Sequence, residues 1–278
     1  MSMKNRHVLG EAVRHLILII LALYTLAPLL FLFVNAFKSN NEIIASPVAL
    51  PEHWTLQYIK TAMEAINFGK ALGLTFIITF FSILLLVIVS SFAAWAMVRS
   101  KTILSNIVFL CFTAAMLVPF QSLMYPLLSV FEKMGLKNVQ GLILMYGGFG
   151  LSMSVFLYHG FIKSVPASLE EAAVLDGANL FQMFFKVVFP LLKGTTVTVI
   201  VLNGMWIWND YLLPSLVLDQ KKYKTIPIAV QYLKGGYGSV DMGAMMGVLV
   251  IAIVPIIIFY IACQRYIIEG VVAGAVKG

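Results

Sequence analysis

Six runs of mostly apolar residues, each long enough to cross a bilayer, constrain this chain more than any other feature. A spanning helix needs about 20 such residues. The runs fall at roughly His15–Phe37, Ala71–Val98, Leu104–Val130, Gly141–Ile162, Thr195–Leu218 and Gly243–Cys263, and the second carries no charge at all. In lipid every backbone polar group must be satisfied inside the protein, so such runs become helices. Only 11% of the residues are charged and 61% are hydrophobic, against about 25% charged in a soluble domain. The expected fold is all-α: a polytopic membrane protein of six transmembrane helices, with residues 1–278 forming one transmembrane domain. Pro28, Pro119 and Pro255 fall inside runs, which neighbouring helices tolerate. Ser90, Ser91, Ala93, Ala94 and Ala96 in the second run, and Gly147, Gly148 and Gly150 in the fourth, suit close helix packing.

Lys4, Arg6 and Arg14 precede the first run, and Val34-Asn35-Ala36 resembles a signal-peptidase site. The run Leu16–Phe33 exceeds a signal core of about 7–15 residues, so it is expected to remain as an uncleaved first helix. Loop charge does not set orientation. With the N-terminus inside, Lys4, Arg6, Arg14, Arg99, Lys101, Lys163, Lys186, Lys193, Arg265 and Lys277 would be inner, and the other nine of the 19 basic residues outer. The net charge of +7 comes with no basic patch interleaved with aromatics, so no nucleic-acid partner is expected. Cys111 and Cys263 lie in apolar runs and are expected to be small buried hydrophobes, not a disulfide or metal pair.

Ion-coupled carriers need ionisable groups at membrane depth. Here only His159 and Asp210 lie near the ends of runs, neither with an evident partner. This disfavours proton or sodium coupling, and with it an independent channel or carrier. There is no phosphate loop; Gly69-Lys70-Ala71 is a fragment of one. No catalytic constellation or metal-spaced cluster appears, so the chain is expected to be no enzyme and to hold no cofactor. An active transporter of this composition takes its energy from another subunit, which requires a loop that touches a partner.

The polar segment between the fourth and fifth runs fits that need. Ser168 followed by Glu171 predicts a capping box just after Pro166. A short helix through Ala172 and Ala173 would end or bend at Gly177. Ala173 and Gly177, four apart, would share a face that a partner backbone can approach. On spacing alone, an ordinary amphipathic interfacial helix remains equally open.

Glu171-Ala172-Ala173, three residues, Gly177, nine residues, then Val187-Val188-Phe189-Pro190 resembles the EAA motif of binding-protein-dependent ABC importers, E-A-A-x3-G-x9-I-x-L-P. Val187 and Phe189 stand where Ile and Leu are usual. The resemblance implies the type I importer permease fold, with residues 164–193 a cytoplasmic coupling loop. Ser168, Glu170, Glu171, Ala172, Ala173, Asp176 and Gly177 would dock on an ATP-binding subunit. Both termini would then be cytoplasmic, in a bacterial cytoplasmic membrane. The implied partners are a second homologous permease forming a heterodimer, two ATP-binding subunits that hold ATP and Mg, and an extracytoplasmic sugar-binding protein.

Two further stretches resemble the carbohydrate branch of that family, of the maltose-permease type. One is Trp206-Ile207-Trp208-Asn209-Asp210-Tyr211-Leu212-Leu213-Pro214. The other is the tail over residues 264–278, Gln264-Arg265-Tyr266 through Val272-Ala273-Gly274-Ala275-Val276-Lys277-Gly278, in which Ile267-Ile268-Glu269 departs from the commoner wording. The implied cargo is an oligosaccharide; glycerol phosphate or a polyol is the alternative. Trp206, Trp208, Asn209 and Asp210 would line a translocation path or serve as scaffold. The tail, with Ala273, Gly274, Ala275 and Lys277, would reach the ATPase. The segment with Gln231, Tyr232, Gly235, Gly236, Tyr237 and Gly238 would either enter the binding protein's cleft or form a plain turn.

Overall fold

The computed structural model describes residues 3–233 and 241–275, with side chains described over residues 11–233 and 241–265. Among the described residues there are fourteen α-helices, one π-helical turn and no strand. They belong to two compact units: Met1–Phe68 with Ala229–Pro255, and Gly69–Ile228 with Ile256–Gly278.

In the first unit, α1 (Met3–Asn35) is followed by the short helices α2 (Asn40–Ala45) and α3 (Gln57–Ala65) and by the first part of α14 (Met242–Ala275). The portion Glu11–Asn35 holds a window of mean hydropathy 2.8 with none of it buried within the chain, and burial is confined to its last turn, at Asn35. Its leucines and isoleucines face outward, towards lipid or another protein. The end of α1 is anchored instead by polar groups. Asn35 Nδ2 donates to the carbonyls of Phe31 and Pro47, at 2.8 and 3.0 Å. The fully buried Lys38 donates its ammonium to Ser46 O at 2.9 Å. Gly247 lets α14 approach α3: a Cβ there would stand 2.8 Å from Ile59 Cγ1.

The second unit holds α4 (Phe68–Ser100, apart from its first residue), α5 (Ile103–Ala115), α6 (Phe120–Lys133) and α7 (Val139–Ile162). It continues through α8 (Ser168–Leu175), α9 (Leu180–Gln182), a π turn (Met183–Val188), α10 (Phe189–Leu191), α11 (Lys193–Asn209) and α12 (Leu212–Val217). The helix α13 (Ile226–Tyr232) begins in it. The central helix α7 is the most buried of the long apolar helices. It packs on α4 and α11 through small residues. A Cβ on Gly150 would meet Asn203 Oδ1 at 2.6 Å and Leu86 Cδ1 at 2.7 Å, and one on Gly147 would meet Leu85 Cδ2 at 2.6 Å. Asn203 Nδ2 donates to Ser154 Oγ at 3.1 Å in the same contact. The packing role expected of these glycines holds for Gly147 and Gly150; Gly148 faces open space.

Four helices are long and apolar enough to cross a membrane, or up to six if each of two bent pairs is one span. The bent pairs correct two expected boundaries. The third run is broken into α5 and α6 at an angle of 107°. Pro119, at the N-cap of α6, has no N–H and disfavours helical geometry in the residue before it. The fifth run ends at Asn209 rather than Leu218. Asp210 is extended, with φ −73° and ψ 125°. Its Oδ1 accepts Leu212 N at 2.9 Å and so starts α12 as a separate helix. The other end of α11 meets Leu180–Leu191 at 77°. Cys111 is also corrected: it is exposed, on α5.

Candidate functional site

The segment after α7 folds from its own sequence, though not as the capping pattern suggested. Pro166 and Ala167 already form a helical turn, with Glu170 N and Glu171 N both donating to Ala167 O at 2.9 and 3.0 Å. The N-cap of α8 is therefore Ala167, and no side chain caps it. The Ser168–Glu171 box does not form, because Ser168 is already inside the helix. A capping box does form later: Asn179 Oδ1 accepts Gln182 N at 2.9 Å, and Gln182 Oε1 accepts Asn179 N at 3.0 Å. Gly177 ends α8 in a left-handed conformation, φ +82°. Ala178 N donates to Ala173 O and Gly177 N to Val174 O, the pair of bonds that closes a Schellman motif.

One face of α8 is fastened to the chain. Glu170 is 8% exposed. Its Oε2 accepts Trp95 Nε1 at 3.0 Å, and its Oε1 accepts Arg99 Nε at 2.8 Å, with Arg99 Nη2 at 2.7 Å. Arg99 Nη2 also donates to Val165 O at 3.0 Å. Trp95 and Arg99 are four apart on α4, one turn, so a single face of that helix clasps the start of α8. Trp95 is held in turn by Phe92 and Phe184, at ring separations of 5.6 and 5.3 Å. Phe184, Val188 and Leu192 run from the π turn past α10 into the same core as Val155, Tyr158 and Ile162 of α7.

The rest of α8 faces out. Ala173 is buried with Glu170, so neither can belong to a docking face, which corrects the pairing of Ala173 with Gly177. Ser168, Glu171, Ala172, Asp176 and Gly177 are exposed. Beside them stand Leu169, Val174, Leu175, Leu180 and Phe181, also exposed, with Leu175 at 88%. Sequence reasoning missed these five and both clasp partners. Contiguous exposed apolar side chains on a polar loop mark an interaction surface.

Asp210 lies at the opposite end of α11 from this loop. Its Oδ2 accepts the Tyr146 hydroxyl at 2.9 Å, and its Oδ1 caps α12, so both carboxylate oxygens serve the scaffold. Asn209 Nδ2 turns back to Met205 O at 2.7 Å. Trp206 meets Tyr146 edge to face, with ring centres 5.4 Å apart, and is partly exposed; Trp208 is half-buried. His159 stacks on Phe109 with ring centres 3.6 Å apart. Gln231 and Tyr232 end α13; Gly235, Gly236, Tyr237 and Gly238 lie outside the described residues. Ala273, Gly274 and Ala275 are the last residues of α14, and Lys277 lies outside the described residues.

Long apolar helices, two bent pairs and a clasped short helix after α7 make this a polytopic membrane protein with an exposed contact surface on a polar loop. The chain belongs to the family described as binding-protein-dependent transport system inner membrane component, which it matches over residues 86–272. It is a multi-pass component of such a system. It is 44% identical over 259 residues to the probable starch degradation products transport system permease protein AmyC of Thermoanaerobacterium thermosulfurigenes, covering 93% of this chain and 94% of that one. It is 33% identical to the multiple sugar-binding transport system permease protein MsmG of Streptococcus mutans, over 99% of this chain and 100% of the other. The fold is shared with a chain of the crystal structure of a bacterial ABC transporter involved in the import of the acidic polysaccharide alginate. That match has a TM-score of 0.80 and 24% identity, covering 96% of this chain and 98% of that one.

Proposed function

We propose that this chain is the permease subunit of an ATP-driven importer that carries an oligosaccharide delivered by an extracytoplasmic solute-binding protein. The observation that carries the proposal is α8: an exposed apolar face on a helix whose other face is bolted to α4 by Glu170, Arg99 and Trp95. Such a helix receives a push on one side and passes it on through the other. The docking face on the ATP-binding subunit is Leu169, Glu171, Ala172, Val174, Leu175 and Asp176. Gly177 fixes the turn that presents it. ATP and Mg belong to two ATP-binding subunits, and a second, homologous permease completes the pore as a heterodimer. The loop 164–193 is cytoplasmic, and so are both termini. The helical end at Ala273–Ala275, with Lys277 beyond it, contacts the ATPase. The segment from Gln231 to Gly238 meets the binding protein.

The names of the relatives, transporters of starch degradation products and multiple sugars, support a sugar cargo. Trp206 and Trp208 offer ring faces for it. The experiment is uptake of labelled maltodextrins and raffinose-type sugars by proteoliposomes holding the purified complex with ATP inside. Glu171→Lys and Gly177→Asp should abolish uptake while the chain still inserts. Full uptake by both variants, or transport by this chain alone without an ATPase, would overturn the reading.

A further inference from the structure

We infer that the cleft where α4 and α7 end and α5 begins is a binding site for the phosphate headgroup of an anionic phospholipid. The cleft has a volume of about 550 Å³, and Met97, Arg99, Lys101, Asn106, His159 and Lys163 are among its lining residues. No acidic residue lines it. Arg99 is already committed to Glu170 and Val165. Lys101 and Lys163 are not: among the described residues neither forms an ion pair, and Lys163 Nζ lies over the ring of Phe109, 5.9 Å from its centre, with His159 within its electrostatic reach. The Asn106 side-chain amide likewise has no hydrogen-bond partner among the described residues. Two uncompensated ammonium groups and a free amide donor around one cleft are the complement of a phosphate.

The site is also fixed in place. Lys101 sits at a left-handed corner, φ +50°, between α4 and α5. That corner is tied from both sides: Thr102 Oγ1 accepts Ser105 N at 3.2 Å, and Ser105 Oγ donates to Met97 O at 2.6 Å. The lipid, rather than a free anion, follows from the wall beside the cleft. Ile103, Leu104, Ile107 and Leu110 are all strongly exposed, an apolar surface for acyl chains on the same helix, α5, that brings Asn106 to the cleft. Basic pockets between spanning helices at a membrane face attract anionic headgroups.

The assignment of the leaflet rests on the proposed orientation; the binding itself does not. Native mass spectrometry of the purified transporter complex, titrated with phosphatidylglycerol in a phosphatidylcholine background, tests it. The unmodified complex should retain phosphatidylglycerol. Lys101→Gln and Lys163→Gln should each weaken retention about fivefold, and together about thirtyfold. Lys221→Gln with Lys222→Gln removes the same charge from another loop and should change nothing. Equal retention by unmodified and Lys101/Lys163 variants would overturn the site. So would displacement of the lipid by millimolar inorganic phosphate, which would assign the cleft to a soluble anion. The single variants keep the test open if the double one fails to assemble. Absence of uptake by the unmodified complex, with lipid retention and its loss in the lysine variants as expected, would count against the transport reading and leave the lipid site standing.

Discussion

Replacing Glu170 by Ala tests how α8 is held. The change leaves the Arg99 guanidinium with one carbonyl, Val165 O, and leaves Trp95 Nε1 without its acceptor. Exposed ion pairs contribute about 0–1 kcal/mol, and breaking a fully buried one costs about 3–5 kcal/mol. Side-chain exposures of 22% for Arg99 and 10% for Glu170, with a third donor from Trp95, place this pair nearer the buried limit. About 3 kcal/mol is the reasoned loss, and it lowers the ratio of docked to undocked α8 about a hundredfold. Hydrogen exchange in the purified complex reads this directly. The amides of Asp176, Gly177 and Ala178, which bond within the end of α8, should exchange about a hundred times faster if they open with undocking. Sugar moved per ATP should fall, while the ATPase subunits alone are unaffected. A double-mutant cycle with Arg99→Ala should return a coupling of about 2 kcal/mol. If exchange across Ser168–Ala178 is unchanged in Glu170→Ala, the clasp does not hold the helix and the reasoning fails.

Four further variants, at three positions, read particular contacts. Gly177→Asn should retain uptake where Gly177→Asp loses it: both tolerate a left-handed φ and a Cβ there meets nothing within 4 Å, so only the added charge on the docking face separates them. Gly177→Val should destabilise the turn by about 1–2 kcal/mol, read as faster exchange at Ala178. Gly150→Val drives a side chain into Asn203 and Leu86 and should cost about 1–3 kcal/mol, seen as a lower melting temperature of the complex. Tyr146→Phe removes the hydroxyl from Asp210 and should destabilise by about 1–3 kcal/mol without abolishing ATP-stimulated uptake, since Asp210 keeps its bond to Leu212 N. Complete loss of uptake from a stably assembled Tyr146→Phe complex would place Asp210 in the transport path.

The helices were legible because a bilayer imposes length and composition on them, and α4 and α7 match the expected runs to within a few residues. The bends were less legible. Pro28 leaves α1 unbroken, whereas Pro119 ends one helix and starts another. The outcome depends on tertiary contacts that sequence does not display. The misplaced capping box has a similar cause. Ser168-x-x-Glu171 and Asn179-x-x-Gln182 both satisfy the pattern, but Pro166 starts α8 too early for the first to act. The clasp was out of reach because its partners lie 71 and 75 residues apart. Nothing local separates Glu170, which turns inward, from Glu171, which stays in solvent. One signal was available: Trp95 and Arg99 stand one helical turn apart at the end of a span that otherwise carries hardly any polar bulk.

The clasp also gives the proposed coupling role of so short a helix a physical basis. Isolated helices below about 12–15 residues are marginal in water, and α8 has 8. Its order is therefore borrowed from what it touches. Glu170 and Ala173 face inward, and the chain that follows re-enters the core through Phe184, Val188 and Leu192. A force on the outer leucines cannot easily melt α8 while these contacts hold. It must move Trp95 and Arg99, and with them the end of α4. It must also move the core that α4 shares with α7 and α11. The stretch of α4 from Ala71 to Val98 carries no charge, so it offers no group of its own through which ATP could act. Under the proposed coupling it needs none, because displacement of α8 would reach it through Glu170 and the Trp95 and Arg99 side chains that hold it.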